Sequence, residues 1–462
     1  MTLPIIVGIY YSETTATMAF IITMIPTLII GVFLAGIKSV NRLKMRDSAL
    51  IVSVAWFLCA IIGTFPLMIS GSVPNFFDSF FEMCSGFSTT GSTIITDVEA
   101  MPKVILFWRT LTHWLGGIGI LIFTIALLPA IGFEGQQIAA AEVAAPTLSK
   151  VVPKLSQASR YLCFLYLGLT ALQTVLLMFG GMSLFDAVTH SFSTLGTGGF
   201  GNYNDSIAHF NSSYIDVVIM IFMFIAGMNF GLFFISFKHG LKVFYQDDEW
   251  KTYFKIVLIS GLIVSGTIML SEGYTPGEAL KLGFFHDISI ITTTGFTLTN
   301  YSVWHTLSQF MLLTLFFIGG CSSSTGGGIK VIRIFVFLKI IKRAISTRLH
   351  QNNIIQLKVN NHKLHSTTAT NIVSFILTYI SLGLLGTLLI SVDGKSIISC
   401  LSATFCCLGN IGIAFEELGP GFSFAALSSF SKFVLSILMI AGRLEVFTVL
   451  VLLSKRFWNP FR

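Results

Sequence analysis

Long apolar stretches alternate with short polar ones along the whole chain, and several exceed the roughly 18 residues needed to cross hydrocarbon. They run over residues 16–37, 49–69, 104–128, 161–179, 215–237, 254–270, 306–338, 372–390 and 433–453. Shorter segments at 76–87, 184–195, 282–291 and 397–408 are apolar or amphipathic and too short to cross. Each runs into a polar, Gly-centred tip: Ser88-Thr89-Thr90-Gly91-Ser92, Thr197-Gly198-Gly199-Phe200, Thr293-Thr294-Gly295-Phe296 and Gly409-Asn410-Ile411-Gly412. The pattern predicts an all-α polytopic membrane protein.

The tips repeat in register. Gly91, Gly199, Gly295 and Gly412 are spaced by 108, 96 and 117 residues, and Asp78 precedes Gly91 by the same thirteen residues that separate Asp186 from Gly199. After an N-terminal extra helix region at 1–46, one plan of spanning helix, short helix, tip and spanning helix recurs. The repeats read as 47–132, 133–240, 241–345 and 346–462. Each holds two spans, so all share one orientation, and the symmetry axis runs along the membrane normal. The short segments are predicted to be half-membrane pore helices in pseudo-fourfold arrangement. They enter and leave from one side because the loop behind them is buried or lines water. Their negative dipole ends aim at the tips and favour a cation there. A ring of tip carbonyls replaces the water shell of an inorganic ion, as a selectivity filter does. Four ordinary extracellular loops with Gly turns are the plainer alternative; recurrence in register favours the filter.

Composition removes other classes. The chain has 462 residues, of which 54% are hydrophobic and 11% charged, with a mean hydropathy of +0.83. Soluble enzymes carry about a quarter charged residues. The net charge of +7 is concentrated in three places. Lys38, Arg42, Lys44 and Arg46 follow the first span; Lys330, Arg333, Lys339, Lys342, Arg343, Arg348, Lys358 and Lys363 follow the seventh; Lys455, Arg456 and Arg462 follow the last. The positive-inside rule makes these segments cytoplasmic, and this placement argues against nucleic acid as the partner. The tips then face outside, beneath a vestibule expected to be acidic through Asp78, Glu82, Asp97, Glu99, Glu272, Glu278, Asp287, Asp393, Glu416 and Glu417. Seven cysteines without paired spacing read as packing residues. The first span is too long for a signal peptide, and a basic stop follows it. His113, His190, His286 and His305 read as interface or cap residues at outer helix ends, with His239, His350, His362 and His365 in cytoplasmic loops. Trp108, Trp114, Trp304 and Trp458 suit aromatic belts, and Asn229 suits interhelical hydrogen bonding.

Two features interrupt apolar spans. Residues 319–328 read Gly319-Gly320-Cys321-Ser322-Ser323-Ser324-Thr325-Gly326-Gly327-Gly328, which must face protein or water. It is not a phosphate-binding loop: the Gly-Lys-Ser/Thr ending is absent and Lys330 is offset by Ile329. A kinked packing helix is the alternative. Arg443 lies mid-way along the last span, where a charge must face the bundle interior or a water path. Glu445, two positions away, does not share its face and so requires another partner.

At residues 85–95, 190–204, 292–300, 317–333 and 441–453 the chain resembles the TrkH/KtrB/HKT superfamily of potassium transporters, most closely its TrkH branch. The resemblance covers nearly the whole chain. It implies K⁺ uptake across a bacterial inner membrane through a gated single-chain pore. Backbone carbonyls around Gly91, Gly199, Gly295 and Gly412 would coordinate K⁺, with Thr90, Gly198, Thr294 and Ile411 supplying oxygens too and Thr89, Thr197, Thr293 and Asn410 as further ion-binding residues of the filter. It implies a gate made of Gly319, Gly320, Ser322, Ser323, Ser324, Thr325, Gly326, Gly327 and Gly328, lying across the pore below the filter. Arg443 would sit just beneath the filter, limit cation flux and bond the closed loop. The implied partners are a cytoplasmic, nucleotide-binding TrkA-type ring at the basic 330–363 stretch, a second copy of the chain, and membrane lipids. The chain itself has no nucleotide fingerprint and implies no cofactor beyond the transported K⁺. Two departures stand out. Ile413-Ala414 follow the fourth tip where the family has Pro-Gly, which weakens strict K⁺ over Na⁺ selectivity, and residues 1–11 supply only the end of the first expected N-terminal helix. A Na⁺-permeable or ion-coupled symporter of the same architecture is the nearest alternative. A membrane enzyme would need converging groups beyond Arg443 and Glu445, and an inert scaffold would not need four tips.

Overall fold

The computed structural model describes residues 1–37, 45–130, 155–349, 356–364 and 366–459. Lys38, Arg42, Lys44, His350, His365, Arg462 and the expected boundary at 132/133 lie outside the described residues. Two helices, Thr2–Tyr10 and Thr14–Ala35, come first. Only 17% of the most apolar window of the second is buried, so side chains such as Ile25, Ile29 and Phe33 face outward, as lipid requires. Five described helices are long and apolar enough to cross a membrane, or up to seven if each bent pair is one span.

The helix order then repeats. Met45–Ile69, Phe76–Phe87 and Lys103–Ala130 form the first unit, and Leu155–Phe179, Leu184–Gly196 and Ser213–Ala226 with Phe230–His239 form the second. Asp248–Ser271, Pro276–Ile291 and Thr306–Leu315 with Val331–Leu349 form the third; Ser366–Ile390, Ile397–Gly409 and Ser429–Arg443 with Phe447–Leu450 form the fourth. The short helices start on strong caps. Asn75, Ser183, Thr275 and Ser396 each accept backbone N–H groups of the first turn. The third begins at Pro276, not near residue 282: Thr275 and Glu278 form a capping box with Pro at the first position, and this outweighs the polar character of the first turns.

The spans expected at 215–237, 306–338 and 433–453 are each broken. The first bends by 87° after Gly227, where Asn229 accepts the Gly231 N–H and caps the new helix instead of bonding a neighbouring one. The second opens over residues 316–330. The third bends by 112°, so Arg443 is the last residue of its helix and not its midpoint. Glu445 and Val446 both have positive φ there, the latter being a strained conformation for a β-branched residue. Trp108 and Trp304 are buried, not belt residues, and the Trp108 indole donates to the Gly63 carbonyl at 3.3 Å. A small hairpin, Lys358–Val359 against His362–Lys363, turns through Asn360 and Asn361 at positive φ, as a two-residue hairpin turn demands.

Candidate functional site

The four short helices end alike. Thr90, Gly198, Thr294 and Ile411 donate their N–H groups to Ser85, Ser193, Ser289 and Cys406, each at 2.8 Å. The residues just before them, Thr89, Thr197, Thr293 and Asn410, have φ of 58°, 54°, 59° and 57°. This is the Schellman ending, usually made with glycine at the left-handed position. Here it is made with three threonines and an asparagine, at a strain of order 1 kcal/mol each. Directly after it, Gly91, Gly199, Gly295 and Gly412 also have positive φ.

The tips meet in cyclic order. A Cβ on Gly91 would strike the carbonyl oxygen of Gly198, one on Gly199 that of Thr294, one on Gly295 that of Ile411, and one on Gly412 that of Thr90. Each tip therefore leans on the carbonyl of the next, and the fourth closes on the first. Tip side chains brace this ring from behind. Thr90 and Thr294 hydroxyls pair with those of Ser88 and Thr292 at 2.6 and 2.9 Å. The Asn410 amide donates to the Thr90 hydroxyl and the Met439 carbonyl, both at 2.9 Å. Gly198 replaces a side chain because the His113 ring occupies the space. That ring stacks on Phe200 at 4.1 Å and bonds the Ser193 hydroxyl at 2.9 Å.

Beneath the tips, residues 319–328 form a loop closed at its neck by Gly319 N–H to the Ile329 carbonyl at 2.9 Å. The Gly327 N–H donates to the Thr293 hydroxyl at 2.8 Å, and a Cβ on Gly327 would lie within 2.6 Å of Gly409 and Asn410 oxygens. Glycine is required here for close approach. Elsewhere Cys321 N–H meets the C-terminal end of the broken helix at the Gly227 carbonyl (2.8 Å), and the Ser323 carbonyl accepts from the Phe230 N–H (3.2 Å). Lys330 reaches the Ser324 hydroxyl and the Gly326 carbonyl. The buried Arg443 guanidinium donates to the Thr325 carbonyl at 2.5 Å and the Gly116 carbonyl at 3.0 Å. Glu445 pairs with Arg333, just past the loop.

An open cavity of about 400 Å³ lies above the tips, with Gly91, Gly199, Gly295, Asn204, Arg109 and Glu417 in its wall. The expected acidic vestibule needs correction. Of those carboxylates only Glu417 lines this cavity, and it is paired with Lys395 at 2.6 Å. Asp287 and Glu82 are fully buried, and Asp78 pairs with Lys432. Glu82 instead grips Arg109 at 2.7 Å, the Thr93 hydroxyl and the Ile94 N–H, because a buried carboxylate needs a charged partner and donors.

Sequence reasoning missed Arg109 and Glu249. Arg109 sits in an otherwise apolar span, where its charge was the available signal. Glu249 opens a spanning helix in the run Asp247-Asp248-Glu249, which resembles ordinary acidic helix-start residues. Its carboxylate is buried and accepts from Ser322 N–H at 2.6 Å, the Ser322 hydroxyl at 2.7 Å and Ile332 N–H at 3.3 Å.

The family model described as "TrkH: Cation transport protein" matches residues 16–459. Trk system potassium uptake protein TrkH of Salmonella typhimurium is 34% identical over 466 residues, covering 99% of this chain and 96% of the relative. The TrkH of Halomonas elongata is 33% identical over 471 residues, with the same coverages. The crystal structure of the potassium transporter TrkH from Vibrio parahaemolyticus superposes with a TM-score of 0.89 at 31% identity, covering 99% of this chain and 96% of that one. The chain belongs to the TrkH family of cation transport proteins, and it is a multi-pass membrane transporter, not an enzyme.

Proposed function

We propose that this protein takes up K⁺ across a bacterial inner membrane through one gated pore per chain. The cyclic contact of the four tips carries the reading: each glycine abuts the carbonyl preceding the next glycine, and the fourth abuts that of the first. Such a ring offers oxygens from Thr90, Gly198, Thr294 and Ile411 to a dehydrated cation. The negative ends of the four short helices add to the attraction. Because the Thr90 and Thr294 hydroxyls and the Asn410 amide nitrogen are spent on bracing, the backbone oxygens of the tips are the principal ion ligands.

Below this filter the 319–328 loop is the gate. It is wedged against Thr293, Gly409 and Asn410 and held by Arg443, whose charge raises the barrier to a cation. Opening requires the loop to leave these partners. The relatives are named as parts of a Trk potassium uptake system. A cytoplasmic nucleotide-binding ring docked near the basic 330–363 stretch supplies regulation in this reading, and two copies of the chain pair, each with its own pore.

Rb⁺ and Na⁺ uptake into proteoliposomes, with Gly199→Ser alongside, tests the filter. Rb⁺ uptake that collapses in the variant supports it. Equal uptake by both chains would refute it, and Na⁺ uptake at the Rb⁺ rate would favour a Na⁺-permeable transporter.

A further inference from the structure

The run Asp247-Asp248-Glu249 touches two separate segments. Outward from the membrane, Asn360 at the hairpin turn donates its side-chain amide to Asp247 at 2.9 Å and its backbone N–H to Asp248 at 2.9 Å. In return it accepts the Asp248 N–H at 2.7 Å. Inward, Glu249 holds the loop at Ser322 and the following helix at Ile332, through the bonds given above. Three consecutive residues thus join the tip of the hairpin to the intramembrane loop and to the helix that follows it. The connection is short and stiff. Asp247 caps the helix through Trp250 N–H at 2.8 Å, so the two aspartates cannot shift without moving the turn that carries Glu249. Glu249 is 2% exposed, and a carboxylate buried this far keeps its donors because leaving them is costly.

The hairpin is placed to receive a push. Its register is fixed by the turn, Lys339 donates to the Lys358 carbonyl at 2.7 Å, and Lys358, Asn361, His362 and Lys363 are exposed. We infer that Glu249 is a positioning residue for the 319–328 loop and that Asp247 and Asp248 couple it to the hairpin. The hairpin's position then sets how firmly the loop is held; this rests on the reading of that loop as the gate. A hairpin pulled away from Asp247 and Asp248 loosens the Glu249 turn and frees Ser322, and a hairpin pressed home locks it. Neither Asn360 nor the aspartates touch the ion path, so the relay changes flux without changing which ion passes.

The full-length chain in nanodiscs tests this by amide hydrogen exchange, with Asn360→Ala, Glu249→Gln and the double variant beside the wild type. Asn360→Ala is expected to raise exchange within 319–332 as well as at 356–364. A rise confined to 356–364 overturns the relay. In proteoliposomes each single variant is expected to raise Rb⁺ flux several-fold with an unchanged Rb⁺/Na⁺ ratio. The double variant should show no more than the larger single effect, since residues in one chain of contacts do not add; fold-changes that multiply overturn the coupling. Faster exchange at 319–332 without any gain in flux would leave the relay standing and remove the loop as gate.

Discussion

Arg443 and Thr325 are 118 positions apart in sequence, and the guanidinium of the first donates to the carbonyl of the second at 2.5 Å. A second bond from Arg443 to the Gly116 carbonyl ties the loop of the third repeat to the first repeat through a residue of the fourth. Arg443 is the last residue of its helix, and the chain bends by 112° directly after it.

Removing this tie should open the path. Charge-assisted bonds contribute about 1.5–3 kcal/mol each, and about 1.4 kcal/mol is a factor of ten in a population. Arg443→Ala is therefore expected to raise Rb⁺ flux roughly tenfold or more at equal protein density. Unchanged flux would show that Arg443 holds the fold and not the gate.

The ring of tips should tolerate no Cβ. Gly295→Ala puts a methyl on the Ile411 carbonyl at a φ of +81°. Gly273 has a φ of +73° with open space around it. Both alanines bear similar backbone strain, of order 1 kcal/mol, but only the first displaces a neighbouring carbonyl. Gly295→Ala should abolish Rb⁺ preference while Gly273→Ala keeps it; loss in both would assign the effect to strain alone.

Asn410 braces two repeats. Asn410→Gly suits the left-handed backbone better but deletes the bonds to Thr90 and Met439. Unpaired buried partners cost about 1–3 kcal/mol, so thermal unfolding in detergent should shift downward despite the relief of strain. An upward shift would mean that the brace is weaker than the strain.

Glu82 and Arg109 form a pair 0% and 1% exposed. Breaking such a pair from one side costs roughly 3–5 kcal/mol, whereas replacing both partners is far milder. Glu82→Gln should lower the melting temperature strongly, and adding Arg109→Met should restore much of it. Equal losses in the single and double variants would contradict a mutually dependent pair; the Arg109 stack on Phe200 at 4.1 Å would then be the larger contribution.

Much of the architecture was legible because it rests on local signals. Spans follow from run length, and the tips follow from glycines recurring after segments too short to cross. Helix breaks were less legible. Residues 319–328 announced themselves through small polar residues, but the bends after Gly227 and Arg443 did not. An apolar stretch keeps its hydropathy whether or not its backbone stays helical. The start at Pro276 was legible in Thr275-Pro276-Gly277-Glu278, where the capping box spoke more strongly than hydropathy.

The sequence by itself determined that the chain crosses a membrane repeatedly, that it makes four equivalent tips, and that Arg443 must avoid lipid, since each follows from the cost of exposing polar groups to hydrocarbon. Only the tertiary structure decided which groups meet: that the tips close in cyclic order, that Arg443 takes Thr325 and Glu445 takes Arg333, and that Glu82 and Asp287 are buried and do not face a vestibule. Those pairings join residues far apart in the chain. A carboxylate or guanidinium carries the same demand for partners wherever it lies, and only the packing of distant helices determines which partner comes within reach.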